Sequence, residues 1–129
     1  MDSKPKIASY RDLMVWQKGV DLVVICYQLS RKLPSSEVYG LAAQIQRAAV
    51  SIPANVAEGH GRRHLGDYLR HLSVANGSLK ELETHLLIAQ RLGFLKEDLV
   101  APALSRAEEV GRMLVGLSPE LRKKSSLLH

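Results

Sequence analysis

The sequence predicts an all-α protein, an antiparallel up-down bundle of four helices. Apolar residues recur at steps of three and four in four successive segments, which is the spacing of a helix with one buried face. No segment alternates apolar and polar residues over the length of a strand. Proline or glycine ends each segment, and helices joined by such short connections bury their apolar stripes most simply against one another.

The first helix is predicted from Ser9 to Leu33. Ser9 and Asp12 have the spacing of a capping box, and Pro34 restricts the residue before it. The apolar stripe of this helix comprises Leu13, Trp16, Val20, Val23 and Tyr27.

The second helix is predicted to follow Pro34, where Ser35 and Ser36 can cap it, and to end at Gly59 and Gly61. Its stripe is Leu41, Ile45, Ala48, Ile52 and Val56. Pro53 lies inside this segment, lacks a backbone N–H and crowds the carbonyl four residues earlier. We therefore expect a kink, or a second helical piece that begins near Pro53.

The third helix is predicted from about His64 to Gly93, with the stripe Leu65, Leu69, Leu72, Leu79, Leu82, Leu86 and Ala89. The leucine spacing continues through Asn76 and Gly77, a pair that otherwise favours a turn, so the helix is predicted to be unbroken. Gly77 points to the close approach of a neighbouring backbone or of a large side chain such as Trp16. The alternative is that the helix simply tolerates this glycine.

The fourth helix is predicted to begin near Lys96, Glu97 and Asp98, whose acids suit the positive end of the helix dipole. It carries Leu99, Ala103, Val110 and Leu114, and Ser118 and Pro119 are predicted to end it. The chain would then comprise a flexible tail at 1–9, one bundle at 10–117 and a flexible basic tail at 118–129.

The composition predicts a globular protein of the reducing cytoplasm. Apolar residues make up 46% of the chain and charged residues 24%. Cys26 is the single cysteine, which excludes an intramolecular disulfide, and its apolar surroundings predict a buried thiol. No run approaches the roughly 18 apolar residues of a membrane span, and the first residues lack the apolar middle of a secretory signal.

Two segments, 22–26 and 86–89, are apolar on every side of their helices. A helix that is apolar all round has to be covered all round. We therefore predict a homo-oligomer in which identical chains cover these segments. The alternative is that both segments lie in an unusually deep part of the core of a single chain.

A second stripe on helix two is polar and carries charges of both signs: Gln44, Arg47, Ser51, Asn55, Glu58 and Arg62. We interpret it as a hydrogen-bonded seam between helices or subunits, in which Arg47 and Arg62 are candidate partners of Glu58. A catalytic role is disfavoured, because Glu58 has no second carboxylate, cysteine or serine at a recognisable spacing. We therefore expect no enzymatic activity.

The basic surplus of the body concentrates between residues 60 and 71, while the chain as a whole has a formal net charge of +5. Arg62, Arg63 and Arg70 are the predicted phosphate-contact residues, together with the basic tails. His60, His64 and His71 lie in the same stretch, where an exposed and partly cationic patch is favoured over a metal site. The turn GHGRR lacks the Lys-Ser/Thr ending of a phosphate-binding P-loop and no strand precedes it, so we expect no dedicated nucleotide-binding loop. No metal or cofactor is expected.

Three stretches resemble a known family: YRDLMVWQKGVDL, YGLAAQIQRAAVSIPANVAEGHGRR and GSLKELETHLLIAQRLGFL. Over roughly residues 10–95 they resemble the bacterial four-helix-bundle family named for a protein encoded in the intervening sequence of the 23S rRNA gene. The resemblance implies a ring-like homopentamer of antiparallel bundles with no enzymatic activity. The residues that match the family motifs are Arg47, Pro53, Asn55, Glu58, Gly59, Arg62 and Arg63 in the centre, and Gly77, Ser78, Leu82 and Glu83 in helix three.

The chain is also similar to the accessory variability protein of diversity-generating retroelements. That similarity implies a basic pentameric barrel that binds a reverse transcriptase and nucleic acid. The chain departs from the family pattern at His64, where a serine cap is usual, and at Asn76, where a basic residue often stands. It also departs in the near-neutral charge of its body, since much of the net charge lies in the two tails.

These observations lead to one hypothesis and one alternative. The hypothesis is a non-enzymatic, oligomeric helical bundle associated with RNA or a nucleoprotein, with Arg62, Arg63 and Arg70 in contact with phosphates. The alternative is a protein-protein adaptor or scaffold with no nucleic-acid role, whose apolar and mixed-charge helix faces bind a partner protein.

Overall fold

The computed structural model describes residues 7–128, with side chains through Ser118, and folds into four α-helices. They are α1 (Met14–Ser30), α2 (Leu41–His60), α3 (Leu65–Arg91) and α4 (Glu97–Leu128). Short 3-10 turns at Tyr10–Asp12 and Ser35–Glu37 precede α1 and α2. No strand forms within the described residues, and the predicted all-α class with four helices is confirmed. Of the predicted tail at 1–9, residues 1–6 lie outside the described part.

The predicted capping box forms, but it closes a 3-10 turn and not the first helix. Ser9 Oγ accepts a hydrogen bond from the Arg11 amide at 3.2 Å, and Asp12 Oδ2 accepts one from the Ser9 amide at 3.1 Å. Leu13 then adopts extended backbone angles, so α1 begins only at Met14.

The face of α1 that is buried in the structure lies next to the face that the sequence predicts. The structure buries Val15, Gly19, Leu22, Cys26 and Leu29, whereas the predicted stripe residues Leu13, Trp16, Val20, Val23 and Tyr27 are only half-buried. Because α1 is apolar on most sides, two adjacent stripes both satisfy the helical period. Gly19 decides between them, since a β-carbon there would lie 3.5 Å from the Pro53 ring and α1 packs closely against α2 at that point.

α2 is a single helix that contains Pro53 in its interior. The predicted second helical piece does not form. Pro53 is buried, and its ring contributes apolar contact with α1 near Gly19 in place of the hydrogen bond that it lacks. At the start of α2, the Glu37 carboxylate accepts from the Leu41 amide at 3.1 Å, and the two serines predicted to cap the helix instead form the preceding turn.

α3 is unbroken through Asn76 and Gly77, as the leucine spacing predicts. It ends in a Schellman motif at Gly93, whose φ is 81°. The Phe94 amide donates to the Ala89 carbonyl and the Gly93 amide donates to the Gln90 carbonyl, both at 3.0 Å. The predicted close approach at Gly77 is wrong: no atom outside its own helix neighbourhood lies within 4 Å of where a β-carbon would stand.

α4 begins at Glu97, as predicted, but it does not end at Ser118 and Pro119. The helix continues to Leu128. A proline removes one backbone hydrogen bond, and the residues that follow Pro119 are mostly glutamate, leucine, arginine and lysine, which favour helix.

The four helices share one core. α2 contacts α1 and α3, and α4 contacts the same two helices. Fully buried side chains come from every helix, among them Leu22, Ile45, Ile52, Val56, Leu79, Leu82, Leu86, Val100 and Val110. Cys26 is part of this core as predicted, and burial raises the pKa of its thiol to about 12.

A single chain does not cover the two segments that are apolar all round. Val24 is 52% exposed, Leu87 46% and Ile88 42%, so these segments are not the deep core of one chain. Within residues 7–128, no helix combines the length and apolar character that a bilayer span requires.

Candidate functional site

A row of polar side chains lies in the interface between α2 and α3. The two helices are neighbours because residues 61–64 alone connect them. The hydroxyls of Ser51 on α2 and Ser78 on α3 are 2.8 Å apart and share a hydrogen bond. One turn further along α2, Asn55 Nδ2 donates to the Ser51 carbonyl at 2.8 Å and to Ser51 Oγ at 3.0 Å.

His71 continues this row from the α3 side. Its side chain is buried, with 5% of the residue exposed, and its Nδ1 lies 3.0 Å from Asn55 Oδ1. The Asn55 amide nitrogen already donates to Ser51, so the oxygen faces the histidine. An amide oxygen only accepts, and therefore His71 carries a proton on Nδ1. In the neutral ring, Nε2 is then an acceptor.

The Nε2 side of His71 faces charged groups. Arg70 Nη2 lies 3.4 Å from Nε2, and Glu58 Oε1 lies 4.0 Å from it on the other helix. Glu58 Oε1 also accepts from Arg62 Nη2 at 2.8 Å. We call Glu58, Arg62, Arg70 and His71 the charged cluster, because contacts run through all four residues.

Two of the three predicted phosphate-contact residues thus belong to one cluster. The Arg62 side chain is 45% exposed and its partner Glu58 is 56% exposed, while Arg70 is also exposed. Ion pairs this open to water contribute little to stability, so an anionic ligand can compete for Arg62. Arg63 is exposed in the connection between α2 and α3 and makes no ion pair with the described residues.

The predicted seam residues Gln44 and Arg47 lie apart from this cluster. With Ser51, Ser78, Glu81 and His85 they line a groove of about 410 Å³ between α2 and α3. Arg47 does not pair with Glu58, because eleven residues separate the two and a helix rises about 16 Å over that distance. Of the two predicted partners of Glu58, the structure pairs it with Arg62.

The histidines do not form the exposed patch that the sequence predicts. His71 is buried, His60 is half-buried with its ring edge-on to Tyr68 at 5.9 Å, and His64 is exposed. Burial raises the pKa of the Tyr68 hydroxyl, which therefore stays neutral. In the described part of the chain, no three histidine, cysteine, aspartate or glutamate side chains are placed to hold a metal ion.

Sequence reasoning missed the contact between His71 and Asn55. Helical spacing shows which residues share a face of one helix, but not which residue of another helix stands opposite. In the structure Gly59 marks this contact, because a β-carbon at that position would lie 2.7 Å from the His71 β-carbon. The sequence alone does not identify it, since Gly77 also interrupts a helical pattern and has open space around it.

Comparisons with known proteins identify the fold. The sequence profile of the family described as 23S rRNA-intervening sequence protein matches residues 11–116. A crystal structure of a protein of unknown function from the S23 ribosomal protein family of Bacteroides thetaiotaomicron superposes with a TM-score of 0.76. The two chains are 21% identical, and the match covers 81% of this chain and 98% of that chain. No curated protein matches the sequence at a significant level.

Proposed function

The chain belongs to the 23S rRNA-intervening sequence protein family, and we propose that it is a non-enzymatic, oligomeric protein that associates with RNA or a ribonucleoprotein. In this proposal the four helices form an antiparallel up-down bundle, and bundles assemble into a homopentamer. The proposed location is the cytoplasm, the compartment that the sequence analysis predicts. Arg62, Arg63 and Arg70 contact phosphates.

One observation carries the proposal: the exposed arginines gather where α2 passes into α3. Arg62 and Arg70 are joined through Glu58 and His71, and Arg63 follows Arg62 directly in the connection. Phosphate contacts of this kind neutralise charge, release counterions and carry no base specificity. The expected binding is therefore steeply dependent on salt and tolerant of sequence.

Self-association would strengthen this site. Each chain has a formal net charge of +5, and copies arranged around an axis would repeat the arginine cluster in a ring. Several nearby clusters attract a polyanion far better than one. The exposed apolar side chains of Val24, Leu87 and Ile88 support self-association, because contacts between copies would remove them from water.

The proposal is tested by fluorescence titration of a structured RNA and a single-stranded DNA at low and moderate salt. We expect binding at low salt that weakens steeply as salt rises. Replacing Arg62, Arg63 and Arg70 together by glutamine should weaken binding and reduce the salt slope by about one for each lost phosphate contact.

The matched control replaces three other exposed arginines, Arg31, Arg91 and Arg112, by glutamine. This variant loses the same charge away from the α2–α3 connection, so it should retain most of the affinity. Circular dichroism would establish whether both variants are folded. Absence of binding at low salt, or equal loss in the two variants, would contradict the proposed site.

A second candidate function is a protein-protein adaptor. Tyr39 is 95% exposed and Val38 is 53% exposed. Both lie in the connection between α1 and α2, at the opposite end of α2 from Arg62 and Arg63. The two side chains are adjacent, so together they offer a partner protein an apolar contact. A partner that copurifies after nuclease treatment, and that is lost when Val38 and Tyr39 are replaced by serine, would favour this function over RNA binding.

A further inference from the structure

We propose that a proton on His71 releases Arg62 and Arg70 for phosphate binding, so that the affinity for RNA rises as the pH falls. The coupling to affinity rests on the proposed function. The release of the arginines is a property of the charged cluster itself and is measured without RNA.

The geometry of the cluster is that of a neutral histidine. Nδ1–H of His71 donates to Asn55 Oδ1 at 3.0 Å, and the lone pair of Nε2 faces the Arg70 guanidinium at 3.4 Å. Glu58 is meanwhile occupied by Arg62 at 2.8 Å. In this state both arginines are engaged within the protein.

When Arg62 moves to a phosphate, Glu58 loses its partner. His71 Nε2 lies 4.0 Å from Glu58 Oε1, so a proton on Nε2 creates an ion pair that replaces the lost one. The ring needs no rotation, because Nδ1–H keeps its bond to Asn55 in both states. Binding of a polyanion to Arg62 therefore favours uptake of a proton by His71.

The same proton acts on Arg70. A protonated Nε2 has no lone pair to accept from the guanidinium, and the two groups then carry like charge 3.4 Å apart. Arg70 is exposed, so its side chain is free to turn towards solvent and a phosphate. One proton thus makes two arginines available.

Among the neighbours of His71, Glu58 is the anionic partner for a protonated ring. From α2, His60 contacts Tyr68 edge-on, and from α3 the Tyr68 hydroxyl stays neutral because burial raises its pKa. Asp67, one turn back on α3, makes no ion pair with His71. Among the described residues, Glu58 is the only carboxylate within 4.0 Å of the ring nitrogens.

Thermodynamic linkage sets the direction of the effect. The complex holds more protons than the free protein, so affinity increases as pH falls, and one proton allows at most about tenfold per pH unit. The expected gain in affinity between about pH 8 and about pH 5.5 is several-fold.

The first measurement is made on the full-length protein without RNA. Nitrogen NMR of the arginine side chains and histidine rings is followed from about pH 8 to about pH 5.5. We expect the Arg62 and Arg70 signals to change together with the His71 ring, and His71→Gln to abolish that change. Arginine signals that do not follow the His71 ring would overturn the proposal.

The second measurement is RNA affinity against pH at constant salt. Glu58→Gln removes the negative charge that pairs with Arg62 and with a protonated His71, so this variant should bind more tightly at high pH and lose the part of the pH dependence that acts through Arg62. The part that acts through Arg70 should remain. His64→Gln is the matched control, because His64 is an exposed histidine of the same stretch outside the cluster. It should keep the pH dependence.

The outcomes separate the two proposals. Absence of RNA binding at every pH overturns the proposed function. In that case the NMR signals of Arg62 and Arg70 still test whether a proton on His71 releases these arginines. RNA binding with the same pH dependence in the unmodified protein and in Glu58→Gln overturns the coupling and leaves the proposed function intact. Should His71→Gln fail to fold, the Glu58→Gln variant, altered at an exposed side chain, carries the same test.

Discussion

A β-carbon on Gly59 would lie 2.7 Å from the β-carbon of His71, closer than two such atoms approach in folded proteins. The Tyr68 side chain and backbone carbonyl would lie at 3.1 and 3.3 Å. Glycine is required at this position by packing and not by backbone conformation, since Gly93 is the residue with positive φ in the described chain. The close approach of α2 to α3 brings His71 against Asn55 and Glu58.

Gly59→Ala should therefore destabilise the protein by about 1 to 3 kcal/mol, because α2 and α3 must move apart to admit a methyl group. Gly77→Ala is the matched control, since Gly77 lies inside α3 with open space around it. There the substitution should stabilise the chain by up to about 1 kcal/mol through helix propensity. Urea unfolding of both variants measures the difference. Equal effects at the two positions would contradict this account of Gly59.

These two glycines also show which features of helix packing the sequence predicts and which it does not. Both interrupt a helical pattern in the same way, and only the arrangement of helices in space distinguishes the crowded Gly59 from the open Gly77. α2 has one apolar face, so its buried residues were predicted correctly. α1 is apolar on most sides, so its buried stripe was predicted one residue out of register.

In the candidate site, the contact within one helix was predicted from the sequence and the contact between two helices was not. The pair of Glu58 and Arg62 is local, four residues apart on one helix, and was among the predicted partners. The bond between Asn55 and His71 joins two helices, and no spacing within either helix specifies it. Contacts of this second kind depend on how the helices pack, and the sequence alone did not reveal them.

Cys26 should resist thiol reagents in the folded protein. Burial raises its pKa to about 12, so the thiolate fraction at pH 8 is on the order of a thousandfold lower than in an unfolded chain. Labelling with iodoacetamide should be very slow in buffer and complete in denaturant. A Cys26→Ser protein with Ser36→Cys at an exposed position is the control and should label rapidly when folded. Fast labelling of native Cys26 would show that the core opens readily.

The ion pair of Lys18 with Glu109 should make stability dependent on pH. Lys18 Nζ lies 2.7 Å from Glu109 Oε1, and this hydrogen bond lowers the pKa of Glu109 in the folded state. A carboxyl whose folded pKa is depressed stabilises the fold above its ordinary value, about 4.3, and loses that effect as pH falls through the lower folded pKa.

Glu109→Gln should accordingly lower the Tm at pH 7, and the difference from the unmodified protein should vanish towards pH 3. Glu108→Gln is the control, because Glu108 is exposed and makes no ion pair with the described residues. Calorimetry across this pH range measures both variants. A Tm difference for Glu109→Gln that persists at low pH would show that the pair is not its source.

Self-association should depend on the exposed apolar side chains of α1 and α3. Light scattering at micromolar concentration should give a multiple of the 14.3 kDa chain mass, and a pentamer would give about 72 kDa, five times that mass. Val24→Glu and Leu87→Glu place charge on side chains that are 52% and 46% exposed in a single chain, so each should lower the measured mass.

The controls place the same charge on exposed polar positions of the same helices, Gln28→Glu on α1 and Thr84→Glu on α3. These variants should keep the mass of the unmodified protein, because neither removes an apolar contact. Two results would contradict self-association through these faces. One is a mass of 14.3 kDa for the unmodified protein. The other is an oligomer that survives both apolar substitutions.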